Sequence, residues 1–144
     1  MKKIARSAIV EHSASQMYAL VEGIEDYPNF LPWCAAAEVH ERHPGRTRAT
    51  LTARLGALKQ SFTTENENRP GEAINMRLVE GPFRRFASEW RFVPLGERAS
   101  RIEFTLQYEF ASRTLGRLLA PLFDGIADSM VDAFVRRADE VYAR

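Results

Sequence analysis

Three polar side chains on inward-facing positions of predicted strands are the first candidates for acid and base chemistry, namely Thr64, Ser88 and Tyr108. An enzyme that divides acid and base roles usually brings two titratable groups together in contrasting environments. The strand carboxylates nearby, such as Glu89 and Glu109, fall instead on outward-facing positions. The sequence therefore favours a binding protein without catalytic residues over an enzyme.

Cys34, His40 and His43 lie close together in the sequence and are the candidates for a metal site or a nucleophile. Zinc sites usually show tighter paired signatures, such as two Cys-x-x-Cys elements, and a nucleophilic cysteine needs a neighbouring base. The sequence shows neither signature. We therefore expect no metal, a semi-buried structural thiol at Cys34, and a solvent-facing side chain at His12.

The spacing of apolar residues predicts the elements that must position these side chains. Residues 3–10 are typical of a strand, and residues 13–16 have the spacing of a helix capping box. Between about residues 35 and 110 apolar and polar residues alternate, and glycine or proline marks the turns, which predicts six antiparallel strands. After residue 112 the period returns to about 3.6 residues, and we expect Pro121 to divide a short helix from a long one.

Large apolar side chains stand on a proline-bounded segment between the first predicted helix and the second strand. Pro28 and Pro32 exclude a central strand or a long helix there. We expect a short irregular helix that acts as a lid over a core or a pocket. The lid side chains are Tyr27, Phe30, Leu31 and Trp33.

The order of the elements predicts an α+β fold, in which a curved seven-stranded antiparallel sheet wraps around a long C-terminal helix, with two short helices after the first strand. No repeat or linker interrupts the pattern, so we expect a single domain over residues 1–144. A curved sheet closed by one helix encloses more volume near its open end than the helix fills, and ligand cavities occur at such open ends. We therefore expect an internal cavity.

Composition narrows the function classes. The 144 residues are 45% hydrophobic and 27% charged, which excludes disordered, collagen-like and coiled-coil proteins. The formal net charge of +1 removes any argument for DNA binding by overall charge and leaves only local patches. No stretch approaches the ~18 consecutive apolar residues of a membrane span, and we expect a cytoplasmic protein.

Four segments occur in an order and spacing that point to a known family: YPNFLPWC at 27–34, FTT at 62–64, GPF at 81–83, and the helix at 130–142. Over essentially its whole length the chain resembles the family of the RatA ribosome association toxins and the mitochondrial coenzyme Q-binding START-domain proteins. This family belongs to the polyketide cyclase-like (SRPBCC) helix-grip superfamily. The resemblance implies a START or Bet v 1-like domain.

The resemblance also implies two activities, and the first is a carrier or chaperone that binds ubiquinone or another polyprenyl quinone in support of respiration. No cofactor other than the bound lipid is expected. Burial of the tail alone contributes about 0.8 kcal/mol per methylene. For any single residue, plain core packing is the other interpretation, because the same alternation is needed to fold the sheet. Besides the lid, the candidate cavity residues are Phe62, Met76, Phe83, Phe86, Trp90, Phe104, Leu106, Tyr108, Leu119, Phe123, Ile126 and Met130.

The alternative is a type II toxin-like protein that binds the large ribosomal subunit and blocks subunit association. Arginines on outward positions, with Arg84 and Arg85 as the possible RNA contacts, would supply the phosphate-binding surface. Glutamates on the same strands, such as Glu65 and Glu109, would cancel that surface by pairing with the arginines. A transient contact between the lid and a membrane surface stays open, and an aromatic polyketide cyclase is the weakest of the three hypotheses.

Overall fold

The computed structural model describes residues 1–142 of the chain. Seven antiparallel strands form one sheet in the spatial order β1-β7-β6-β5-β4-β3-β2, so the two strands nearest in sequence to the N-terminal helices lie at opposite edges. The strands are β1 Lys2–Val10, β2 Cys34–His43, β3 Arg46–Leu55, β4 Leu58–Arg69, β5 Ala73–Glu80, β6 Phe83–Gly96 and β7 Ala99–Phe110. The helices are α1 Ala14–Glu22, a 3-10 helix Ile24–Asn29 and α2 Arg113–Val141. The predicted α+β helix-grip architecture is confirmed.

The predicted capping box starts α1. The Ser13 hydroxyl accepts a hydrogen bond from the Gln16 backbone nitrogen at 3.1 Å, and the Gln16 side chain accepts one from the Ser13 nitrogen at 3.0 Å. The 3-10 helix that follows contains Pro28. It is the short irregular helix that the proline spacing predicts, and residues 30–33 connect it to β2.

Helix α2 is continuous for 29 residues, about 44 Å at 1.5 Å per residue. The expectation that Pro121 divides two helices is therefore wrong. Leu119 and Leu122 on either side of the proline are both buried, so their packing keeps the helix continuous through Pro121. The carbonyl of Arg117, which loses its usual partner at Pro121, belongs to an exposed residue where water can satisfy it.

Aromatic rings join α2 to the concave face of the sheet. Trp90 of β6 lies between Phe104 of β7, at 4.6 Å between ring centroids, and Phe134 of α2, at 5.2 Å. All three side chains are almost fully buried. No helix within residues 1–142 is both long enough and apolar enough to cross a membrane.

The outer face of the sheet carries charges that pair across strands. Glu65 of β4 is buried between its neighbours in register, Arg48 of β3 and Arg77 of β5, and it forms an ion pair with each. The hydrogen bond from Arg48, and then the one from Arg77, lowers the pKa of the Glu65 carboxyl, although burial acts in the opposite direction. The predicted pairing of arginine with glutamate thus exists at these positions.

Replacing Gly81 by alanine tests how closely the turn between β5 and β6 packs on the sheet. A Cβ atom there would lie 2.9 Å from the Cβ of Phe62 and 3.1 Å from the Cδ1 of Leu78. We expect Gly81→Ala to lower the free energy of unfolding by about 1–3 kcal/mol, the usual cost of overpacking, in urea denaturation. Gly96→Ala is the matched control, because a Cβ atom at Gly96 meets nothing within 4 Å; equal losses in both variants would contradict this packing.

Candidate functional site

An internal cavity of about 60 Å³ lies between the concave face of the sheet, the 3-10 helix and α2. Its wall is mostly apolar, as the sheet alternation requires. The lining residues are Ile24, Tyr27, Trp33, Ala49, Leu51, Phe62, Thr64, Asn66, Met76, Phe86, Ser88, Trp90, Phe104, Leu106, Tyr108, Phe123, Ile126, Met130 and Phe134.

The size of the cavity limits what it holds in this conformation. A cavity of about 150 Å³ accepts one benzene molecule. At about 60 Å³, this cavity has room for a few water molecules and is too small for a quinone ring. A ring or a polyprenyl tail therefore enters only if the lid or α2 moves.

Trp33 lines the cavity and carries a buried, unsatisfied hydrogen-bond donor. The side chain is only 9% exposed, and its indole nitrogen has no hydrogen-bond partner among the described residues. The backbone of Trp33 is fixed by β3, since its carbonyl accepts a hydrogen bond from the Arg54 nitrogen at 2.8 Å. A buried N–H group without a partner has a free-energy cost, which a bound acceptor would remove.

Other polar groups on the wall are already satisfied within the protein. Thr64 donates to the Asn66 side chain at 3.0 Å, and the Ser88 hydroxyl donates to the Thr105 carbonyl at 3.0 Å. These contacts leave the hydroxyls with acceptor capacity but without a free proton to donate.

Tyr108 carries the other polar group of the wall, and its hydroxyl donates to the Asp124 carboxylate on α2. Burial, followed by this carboxylate, raises the pKa of the Tyr108 phenol. The phenol is therefore neutral near pH 7 and acts as a hydrogen-bond donor to Asp124, which does not suit it to the role of a general base.

A second candidate surface, the outer basic hollow, opens on the convex side of β5, β6 and β7 with a volume of about 490 Å³. Its lining contains three arginines and no carboxylate: Met1, Arg77, Leu78, Arg84, Arg85, Phe86, Ala87 and Gln107. Arg77 pairs with Glu65, and Arg84 pairs with Glu109 at 3.2 Å. Arg85 is exposed and has no ion pair within residues 1–142.

Comparison with known proteins identifies the family. Residues 10–135 match the family model described as polyketide cyclase / dehydrase and lipid transport. The chain belongs to this family. It is 42% identical over 139 residues to the ribosome association toxin RatA of Pseudomonas aeruginosa, covering 96% of each chain. It is 39% identical over 143 residues to RatA of Escherichia coli, covering 99% of this chain and 90% of the relative, and so groups with the RatA proteins.

More distant relatives share the fold. The mitochondrial coenzyme Q-binding protein COQ10 homolog B of Xenopus laevis is 28% identical over 144 residues, covering 97% of this chain and 59% of the relative. A START superfamily protein from Mycobacterium smegmatis is 21% identical with a TM-score of 0.80, covering 96% of this chain and 98% of that one. The Zhui aromatase/cyclase of Streptomyces is 16% identical with a TM-score of 0.82, covering 96% and 93%. Identities this low in the solved structures show the helix-grip fold alone.

In this member of the polyketide cyclase family, all but four of the predicted cavity residues lie on the cavity wall. The four exceptions are Phe30, Leu31, Phe83 and Leu119. Phe30 packs on the outer side of Tyr27, where the Arg137 guanidinium lies 5.1 Å from its ring centroid. Phe83 stacks on Phe110 at 5.3 Å, and Leu31 and Leu119 are buried in the core, so these side chains meet neighbours instead of the void.

Several residues of the cavity wall are absent from the set that the sequence predicted. Asn66 continues the inward alternation that starts at Phe62 and Thr64, so the same pattern would have found it. Asp124 is not a wall residue, but it holds the Tyr108 hydroxyl of the wall, and no sequence pattern marks it, because it meets Tyr108 only through the packing of the helix on the sheet.

Cys34 and His12 are both buried in the structure. Cys34 is 4% exposed, and burial raises the pKa of its thiol to about 11. His12, expected in solvent, is buried instead; its Nε2 lies 2.8 Å from Asp139 and its ring lies 5.8 Å from that of Tyr142, contacts that tie the end of α2 to β1. In the described part of the chain no three His, Cys, Asp or Glu side chains are placed to hold a metal ion.

We expect Cys34 to react with an aromatic disulfide reagent only when the structure opens. At pH 8 a pKa of about 11 leaves roughly one thiol in a thousand ionised, and burial blocks the reagent. Unfolding in guanidinium chloride should raise the reaction rate by about 100-fold or more, measured by release of the coloured thiolate. Equally fast reaction of the native protein would contradict this placement of Cys34.

Proposed function

We propose that the chain is a ribosome association toxin, as its RatA relatives are named, and that it acts by binding the large ribosomal subunit and blocking its joining to the small subunit. Identities of 42% and 39% along nearly the whole chain support this proposal. The observation that carries it is the outer basic hollow, with three arginines and no carboxylate on its wall. Ribosomal RNA is the natural partner for a concave surface of this charge.

The arginines of the hollow are suited to phosphate contacts. A guanidinium presents a planar set of donors that matches two phosphate oxygens. Arg85 is exposed and unpaired within residues 1–142. Arg84 pairs with Glu109, but both side chains are about one-third or more exposed, and exposed pairs contribute at most about 1 kcal/mol. A phosphate can therefore replace Glu109 at little cost.

We therefore place ribosome binding ahead of quinone binding, whereas the sequence favoured quinone binding. A polyprenyl quinone needs space for a substituted ring and a tail, and the cavity of about 60 Å³ provides it only after a rearrangement. The outer basic hollow is open before any partner arrives.

Charge reversal at Arg85 tests the ribosome proposal. We expect Arg85→Glu to weaken co-sedimentation with purified large subunits about tenfold, because a phosphate contact becomes a repulsion, and to flatten the dependence of log K on log salt. Arg98→Glu is the matched control: Arg98 is exposed, has no ion pair in the described chain, and follows β6 at the end opposite Arg85. Binding that is absent for the native protein even at low salt would refute the proposal, and equal losses in both variants would place the RNA contact elsewhere.

A second function is favoured by a separate observation, the apolar cavity lined by Trp33, whose buried indole N–H has no partner within the described residues. We propose that the cavity binds a hydrophobic ligand with a polar head, for which a polyprenyl quinone is one candidate. An apolar tail would gain about 0.8 kcal/mol per buried methylene, which offsets the movement of the lid. Both proposals are binding functions, and we propose no catalysis, since Tyr108 is engaged by Asp124.

Narrowing the cavity tests the second function. Ala49→Leu adds an isopropyl group to a wall residue that is 2% exposed, so we expect severalfold less lipid in solvent extracts of protein purified from a ubiquinone-producing bacterium, measured by mass spectrometry. Ala5→Leu is the control, because Ala5 is exposed on β1. Native protein that carries no lipid and shows no change of tryptophan fluorescence with added ubiquinone would contradict quinone binding.

A further inference from the structure

A groove on the outside of the molecule shares a wall with the internal cavity. It lies between the segment that follows the 3-10 helix, the hairpin of β3 and β4, and α2, and its volume is about 410 Å³. Trp33 and Ile126 line both the groove and the cavity. Movement of these two side chains would therefore join the two spaces into one passage from solvent to the interior.

Two arginines on the wall of this groove have no charge partner. Arg54, at the end of β3, and Arg136, on α2, are both exposed, and neither forms an ion pair or a side-chain hydrogen bond with any residue that the structure describes. Asp132 is the one carboxylate among the lining residues, so the formal charge of the wall is +1. Arg54 and Arg136 come from different elements and line the same groove, which makes this wall a candidate binding surface for an anionic group.

The same groove also offers apolar surface to a ligand. Leu55, next to Arg54, is 53% exposed at the tip of the hairpin, although the strand alternation predicts it on the buried face. Pro32 and Pro121 lie on the opposite sides of the groove. Cationic and apolar groups in one groove match a ligand that is itself charged at one end and apolar at the other.

We propose that this groove is the port of the internal cavity and that it selects a single-chain amphiphile with a carboxylate or phosphate head, held by Arg54 and Arg136, whose apolar chain passes between Trp33 and Ile126. Trp33 lines both spaces, and its buried indole N–H, which is unpartnered within residues 1–142, is available as a donor to the ligand once the side chain moves. The proposal rests on the second function above and adds the charge of the head group to it.

The dimensions of the interior favour an unbranched chain. The cavity of about 60 Å³ is well below the ~150 Å³ that accepts a benzene ring. A polymethylene chain is narrower than a substituted ring, so it needs a smaller displacement of Trp33 and Ile126. An anionic head held outside at the arginines then avoids the desolvation that burial of a charge would require.

A matched pair of amphiphiles tests the proposal. Dodecyl phosphate and dodecanol carry the same chain and differ in the charge of the head, and both are titrated into the native protein below the concentration at which they aggregate, with calorimetry and tryptophan fluorescence as readouts. We expect dodecyl phosphate to bind about tenfold more tightly than dodecanol, the effect of charge-assisted hydrogen bonds at an exposed site.

Two double variants distinguish the effect of the groove arginines from the effect of surface charge in general. Arg54→Gln with Arg136→Gln should remove the preference for dodecyl phosphate, so that the two amphiphiles bind with similar affinity. Arg69→Gln with Arg98→Gln removes the same charge from exposed arginines outside the groove, which also lack ion pairs in the described chain, and should keep the preference. Thermal unfolding of each variant confirms that it is folded.

The outcomes distinguish this proposal from the one on which it rests. Equal binding of the two amphiphiles by the native protein would overturn the anionic head group while leaving a hydrophobic ligand in place. Loss of the preference in both double variants would overturn the role of the groove arginines. Binding of neither amphiphile, together with no lipid in the solvent extracts, would overturn the hydrophobic ligand itself.

Discussion

Helix α2 must cover the concave face of a seven-stranded sheet, and the internal cavity and the groove beside it both depend on how it meets that face. The rings of Trp90, Phe104 and Phe134 are almost fully buried against one another and set the separation of helix and sheet. Toward the lid, side chains from the two layers do not fill the remaining space, and the internal cavity is what is left. Its volume of about 60 Å³ follows from this packing, so any ligand larger than a few water molecules has to be accompanied by movement.

The two proposed functions use opposite faces of the same strands. On β5, Met76 lines the cavity and its neighbour Arg77 lines the outer basic hollow. On β6, Ser88 lines the cavity and its neighbour Ala87 lines the hollow. Because side chains alternate between faces along a strand, one sheet can present an apolar inner face and a charged outer face. Ligand entry and RNA contact therefore use largely different side chains, although Phe86 lines both the cavity and the outer basic hollow. Substitutions at the unshared residues can alter one site and leave the other intact.

The errors of the sequence-based expectations have a common physical origin. Pro121 is a strong local signal for the end of a helix, yet buried contacts at Leu119 and Leu122 outweigh it. Leu55 continues the alternation of β3, but at the tip of the hairpin it is 53% exposed and lines the groove beside α2. His12 follows a strand in a polar stretch, and its contact with the distant Asp139 holds it in a buried position. In each case the position of the residue in the whole fold decided the outcome.

The sequence by itself determined the order of the elements, the alternation of the seven strands, the capping box of α1 and most of the residues on the cavity wall, because these depend on spacing along the chain. Only the tertiary structure decided the size of the cavity, the contact of Tyr108 with Asp124, and which arginines remain unpaired. Arg77 and Arg85 each lie in register with a glutamate, but Arg77 pairs with Glu65, whereas Glu109 opposite Arg85 pairs with Arg84 and leaves Arg85 without an ion pair in the described residues. Strand register and helix placement are properties of the whole fold, so no local pattern contains them.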